Sequence, residues 1–264
     1  MKFYVFDCGG IWLDEEVLVV GINAVTASEP NKPSRLVRSP VSVYLIEHEC
    51  GYVLYDAGMH ESGMMTDSVD STPDCFLPKR LEQLGISPEQ ITHVVVSHLH
   101  GDHAGYLYLF KNAEIIVNDD EFTQSVKNYA LRRRVGGPYM AQDFDRFLDA
   151  GLNWTLLEND VLEYPLMDGV TVVNFGSGHS FGVLGLLAEL PNSGPHFFVS
   201  DALYTELNAG PPVRLPGIVW DSLGYRKTAK FIQTYAKNHN AKIIYGHNIE
   251  QVKNLIKSTE GYYD

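Results

Sequence analysis

Alternating apolar and polar positions dominate the first part of the chain and predict strands joined by tight turns. Residues 1–8 read as a strand with KFYVF at its centre. Residues 41–47 alternate and are rich in β-branched side chains, Cys50-Gly51 marks a turn, and residues 52–55 return. The pair predicts a hairpin ended by Asp56-Ala57-Gly58. Residues 59–78 have little periodicity and predict a long loop of the kind that shapes an active-site rim. A short helix over 78–84, stopped by Gly85, precedes a compact β-branched strand at 91–96. A strand at 114–117 then leads into a helix over 119–132, with acids in its first turn and basic residues in its last. Beyond the break at Gly136-Gly137-Pro138, a helix is predicted around 142–148, followed by strands near 154–157, 170–174, 183–189 and 196–199. A helix over 222–237, a strand at 242–245 and a short helix after Ile249 complete the series. Strand runs closed by helices, twice over, predict an α+β fold with two sheets face to face and helices outside. No linker interrupts the pattern, so residues 1–264 read as one domain.

Composition narrows the function classes. No apolar run approaches the roughly 18 to 20 residues that a membrane span needs, and no secretory pattern opens the chain. The cytoplasm is therefore the expected compartment. Cys8, Cys50 and Cys75 form no CxxC pair, which suits a reducing environment better than a disulfide framework. The net charge of -13 argues against a polyanionic partner such as nucleic acid. The basic triplet Arg132-Arg133-Arg134 reads as a solvated helix end, with a substrate-side contact as its functional alternative.

The chemistry concentrates just past the strand at 91–96. Ser97-His98-Leu99-His100-Gly101-Asp102-His103 places four candidate metal ligands within six residues. His98 and His100, two apart, project to the same side of extended backbone. Gly101 lets the chain turn, so that Asp102 and His103 can aim at a second point. One segment can thus serve two adjacent metal ions, with zinc expected and other divalent ions possible. Burying so many ionisable groups without a metal would be costly. His179, Asp201 and His247 each follow a predicted strand and supply further ligands. His48, His60, His93, His196 and His239 read as structural or solvent-facing, although the loop carrying His60 could approach the site.

The HxHxDH segment, with a later His, Asp and His, resembles the metallo-β-lactamase superfamily, and within it most closely the N-acyl homoserine lactonases. The similar stretches are 39–58 (SPVSVYLIEHECGYVLYDAG), 97–105, 200–204 (SDALY) and 245–253 (YGHNIEQVK), which run from one end of the chain to the other. The resemblance implies an αββα four-layer sandwich. It also implies one metal on His98, His100 and His179 and a second on Asp102, His103 and His247, with Asp201 and a hydroxide bridging them. Tyr204 matches the tyrosine these lactonases hold near the substrate carbonyl, although its alternative is a packed aromatic. Asp56 matches an acid that orients a ligand histidine. Two departures bear on the substrate. The family's PGHSPGH loop is SGHSFGV here, and Gly101 stands where relatives often carry a bulkier residue.

The implied reaction is attack of the shared hydroxide on a lactone carbonyl, with Tyr204 stabilising the oxyanion, Asp201 bridging and Asp102 shuttling a proton. An N-acyl homoserine lactone leads as substrate, with pyridoxolactone-like or sugar-like lactones and thioesters as alternatives. A di-iron oxidoreductase would need a carboxylate at position 100, and a non-enzymatic metal-binding module would show no turnover on any ester. Met59, Met64, Met65, Phe76 and Tyr139 are candidates to accept an acyl chain or to act simply as packing. Oligomeric state is not legible.

Overall fold

The structure, a computed structural model, describes residues 1–62, 68–132 and 139–264. Met64 and Met65, Arg133 and Arg134, and the Gly136-Gly137-Pro138 break lie outside the described residues. In chain order the elements are β1 (Lys2–Asp14), α1 (Glu15–Leu18), β2 (Leu36–His48), β3 (Gly51–Tyr55), β4 (Val69–Asp70), α2 (Leu77–Gln83), β5 (Ile91–Val95), α3 (Gly101–Ala104), β6 (Glu114–Asn118) and α4 (Asp119–Ala130). They continue as α5 (Ala141–Asp149), β7 (Asn153–Leu157), β8 (Glu163–Met167), β9 (Val170–Gly176), β10 (Val183–Leu190), β11 (Gly194–Ser200), α6 (Glu206–Ala209), α7 (Ser222–Asn238), β12 (Lys242–Tyr245) and α8 (Ile249–Asn254).

The strands form two mixed sheets, one of seven in the order β4-β1-β2-β3-β5-β6-β7 and one of five in the order β12-β11-β10-β9-β8. Alternation explains how they meet. Phe3, Val5, Tyr44, Ile46, Val53 and Tyr55 turn from the first sheet toward Val172, Leu184, Leu186 and Phe198 of the second, and all are buried. Each such side chain contributes about 1.5–3 kcal/mol relative to exposure. The Tyr55 hydroxyl crosses the interface and donates to the Leu184 carbonyl at 2.8 Å, so burial leaves it satisfied. The opposite face of the first sheet packs on Leu77 and Leu81 of α2 and on Phe144 and Phe147 of α5. The outer face of the second packs on Tyr225, Ala229 and Ile232 of α7. The layers therefore run helix, sheet, sheet, helix, the αββα arrangement expected.

Several elements differ from the sequence reading: β4 lies inside the expected 59–78 loop, the short helices α1, α3 and α6 carry no periodic signal, and three strands differ in extent or escape it. β1 runs on to Asp14, because a register shift between Asp7 and Gly10 carries the strand past the point where alternation breaks. β2 begins at Leu36, its polar Arg38 and Ser39 hiding the pattern there. β8 escaped notice because Pro165 weakens its signal, which an edge strand tolerates.

Candidate metal centre

The segments leaving β5, β9, β11 and β12 converge on two clusters of buried ligand atoms. His98, His100, His179 and Asp201 form one, and Asp102, His103 and His247 form the other, with the atoms of each within 4.8 Å of one another. All seven residues expected as ligands are therefore brought together. In the first cluster His98 Nε2 lies 2.9 Å and His179 Nε2 3.0 Å from His100 Nδ1. A neutral imidazole nitrogen offers one proton or one lone pair, so it cannot bond both neighbours at once. A shared cation resolves the conflict. Burial, then the neighbouring imidazoles, pushes His98 and His100 well below the usual histidine range, leaving neutral rings suited to ligation.

Asp201 faces both clusters. Its Oδ2 lies 3.1 Å from His179 Nε2 and 3.6 Å from His98 Nε2, while Oδ1 lies 3.0 Å from His247 Nε2 and 3.5 Å from His103 Nε2. Asp102 Oδ2 is 3.4 Å from His103 Nε2 and 3.6 Å from His247 Nε2. Buried His103 Nε2 and Asp201 Oδ1 have no hydrogen-bond partner among the described residues. Orphaned atoms of this kind, in an oxygen and imidazole donor set, fit two divalent ions.

The outward nitrogens are held from behind, which sets each tautomer. His179 Nδ1 donates to the Ile218 carbonyl at 3.0 Å and His247 Nδ1 to the Pro40 carbonyl at 2.9 Å. His103 Nδ1 donates to Asp56 Oδ2 at 2.8 Å. Asp56 also accepts the Ser97 backbone N–H at 2.7 Å and the Ser97 hydroxyl at 3.0 Å. It takes a left-handed φ of 67° to do so, a conformation Asp tolerates.

Tyr204 lies buried between the clusters, its ring centroid 5.3 Å from that of His179 and 4.9 Å from that of His247. Burial, followed by the charges of Asp201 and Asp102, raises its hydroxyl well above the usual phenol range, so it stands as a proton donor. An aromatic cluster adjoins His100. Tyr139 meets His100 edge-on at 4.4 Å and stacks on Phe181 at 5.8 Å, and Phe181 meets Trp220 at 4.6 Å. Buried Phe181 thus anchors the departing SGHSFGV loop against Tyr139 and Trp220.

Several readings are refined. Gly101 is not in the left-handed region; it opens α3, and space requires it, because an added Cβ would lie 2.6 Å from Met140 Cγ. Met59 is buried in the core and Phe76 packs against it, so of the described rim candidates only Tyr139 reaches the metal site. His60 joins neither cluster; its Nδ1 bonds Ser62 and its ring packs 4.9 Å from Tyr106. His48 accepts from the Cys50 N–H, His93 adjoins Thr92 and Glu114, His196 packs on Phe3, and His239 stacks on Tyr235, all as structural residues. Arg132 is exposed beyond the end of α4. One residue was missed. Glu121, fully buried, binds both histidine-bearing loops, yet in the sequence it is one more acid in a helix first turn.

Comparison with known proteins agrees with this geometry. The family profile of the metallo-beta-lactamase superfamily matches residues 36–206. N-acyl homoserine lactonase AiiB of Agrobacterium fabrum is 40% identical over 274 residues, covering 100% of this chain and 99% of the relative. AiiB of Rhizobium rhizogenes is 39% identical with the same coverage. A solved N-acyl homoserine lactone hydrolase, with the product N-hexanoyl-L-homoserine at its catalytic metal center, superposes with a TM-score of 0.82 at 27% identity, covering 99% of this chain and 98% of that one. The chain belongs to the metallo-β-lactamase superfamily and, within it, to the family of the N-acyl homoserine lactonases.

Proposed function

We propose that this protein hydrolyses the ester bond of N-acyl homoserine lactones at a two-zinc centre. His98, His100 and His179 would hold one ion and Asp102, His103 and His247 the other, with the Asp201 carboxylate facing both clusters. The observation that carries the reading is the Asp201 carboxylate, which offers one oxygen to each cluster. Two such ions would supply Lewis acidity and a water acidic enough to act as nucleophile at neutral pH.

The chain's own residues do the rest. Tyr204 directs its protonated hydroxyl at the developing oxyanion of the ring carbonyl, where such a donor counts most. Asp102 accepts a proton at its carboxylate and returns it to the ring oxygen as the C–O bond breaks, giving the open hydroxy acid. Exposed Trp220 and half-buried Tyr139, with Phe181 packed between them, offer apolar surface to an acyl chain. A neutral lactone meets no repulsion from a net charge of -13, whereas a polyanion would.

Backbone hydrogen bonds in both directions between Phe3 and Tyr263 support a single domain over residues 1–264. Three free cysteines support a cytoplasmic location, and no helix among the described residues is long and apolar enough to cross a membrane. The test is proton release by zinc-loaded protein with N-acyl homoserine lactones of increasing chain length, beside pyridoxolactone-like and sugar-like lactones and thioesters. Ring opening of the acyl series that stops on chelation is expected. No turnover of that series with both ions bound refutes the substrate and moves the reading to the other esters.

A further inference from the structure

Two buried carboxylates support the metal clusters without belonging to either. Asp56 serves the second cluster directly through His103 and touches the first through the Ser97 hydroxyl, which lies 3.0 Å from His98 Nδ1. Glu121, 0% exposed in the first turn of α4, has a corresponding position behind the first. Its Oε1 accepts the Leu99 backbone N–H at 2.9 Å and the Tyr139 hydroxyl at 3.0 Å, and its Oε2 accepts the Gly182 N–H at 3.2 Å. Leu99 lies between His98 and His100, Gly182 follows His179 by three residues, and the Tyr139 ring packs on His100. One carboxylate thus ties together every segment that carries a histidine of the first cluster.

The approach is close by construction. Asn118, the N-cap of α4, accepts the Glu121 N–H at 3.0 Å through Oδ1. A Cβ on Gly182 would collide with that same oxygen, so only glycine lets the loop after His179 lie against the N-terminus of α4. A buried carboxylate is costly unless its lone pairs are filled, and here three donors from three separate segments fill them. None of these bonds reaches Asp102, His103 or His247.

We infer that Glu121 is the positioning residue of the first metal cluster, holding the His98–His100 segment and the His179 loop in register so that its loss weakens one ion selectively. The inference rests on the ligand assignment above.

The experiment compares zinc binding by the wild type, Glu121→Gln and Asp56→Asn, titrated against a chromophoric chelator. Crystals grown with limiting zinc then report the occupancy of each cluster by anomalous scattering. Gln keeps the side-chain shape but presents an amide donor to groups that are themselves donors. Glu121→Gln is expected to bind the His98/His100/His179 ion 10- to 100-fold more weakly, roughly the effect of losing such a support, while the other ion keeps its affinity. Asp56→Asn should weaken both ions, the His103 ion directly and the other through Ser97 and His98, so a loss confined to the first cluster is peculiar to Glu121. If Glu121→Gln does not fold, Glu121→Asp replaces it, since the shorter chain cannot reach all three donors and should shift affinity in the same direction. Wild-type affinity for both ions, or equal loss of both, overturns the inference. A wild type that takes up no second ion overturns the ligand assignment and the inference with it, and the wild-type titration alone distinguishes that failure.

Discussion

Replacing Tyr204 by Phe removes one oxygen and leaves the ring, which packs between His179 and His247 and against Leu18 and Val19. The ring accounts for nearly all the buried area, so folding stability should fall by no more than about 1 kcal/mol, the usual net value of one hydrogen bond. In a chain of this size that is a melting shift of roughly 2–4 °C. No ligand atom is touched, and both ions should remain bound. Catalysis should suffer more. A preorganised donor at a developing oxyanion contributes about 2.7–4 kcal/mol, so kcat should fall roughly 10²- to 10³-fold. The assay is initial-rate proton release at several pH values, with metal content measured on the same samples. A fully metallated Tyr204→Phe with wild-type kcat would refute the assignment and make Tyr204 a packed aromatic.

Three further outcomes follow from the same geometry. Chelation should lower the melting temperature by roughly 10 °C or more, since each ion at 100 times its Kd contributes about 2.7 kcal/mol and its removal strands buried His103 Nε2 and Asp201 Oδ1; an unchanged calorimetric transition would contradict this. Gly101→Ala should cost about 1–3 kcal/mol in urea unfolding through its clash with Met140 Cγ, and Met140→Ala in the same chain should restore most of it; a neutral single variant would show that the space is open. Tyr44, Tyr55 and Tyr225 are raised above the usual phenol range chiefly by burial, so above pH of about 10 the unfolded chain releases protons that the folded chain keeps. Stability must therefore fall as pH rises through that value, and tyrosinate absorbance should rise together with unfolding, not before it.

Much of the metal site was legible because its signal is local. His98, His100, Asp102 and His103 lie within six residues, and the spacing alone brings their side chains near one another. His179, Asp201 and His247 were legible more weakly, as polar residues at strand ends, a place where loops gather. Position 101 shows where such reading stops. Glycine suggested a turn, yet the backbone there is helical, and the side chain of a residue 39 positions later explains the requirement. Met59 shows the same limit, since apolar character cannot say whether a side chain faces a substrate or the core.

By itself the sequence determined the strand and helix periods, the layered class and the chemical identity of the ligands, because periodicity and donor type reside in neighbouring residues. The family resemblance already placed Asp201 between the metals and Asp56 behind a ligand histidine, but only the tertiary structure decided that Pro40 and Ile218 carbonyls set two histidine tautomers and that Glu121 ties together the histidine segments of the first cluster. Those bonds join residues from 22 to 207 positions apart. Which donors meet at such separations depends on how two sheets pack, and no local pattern records it.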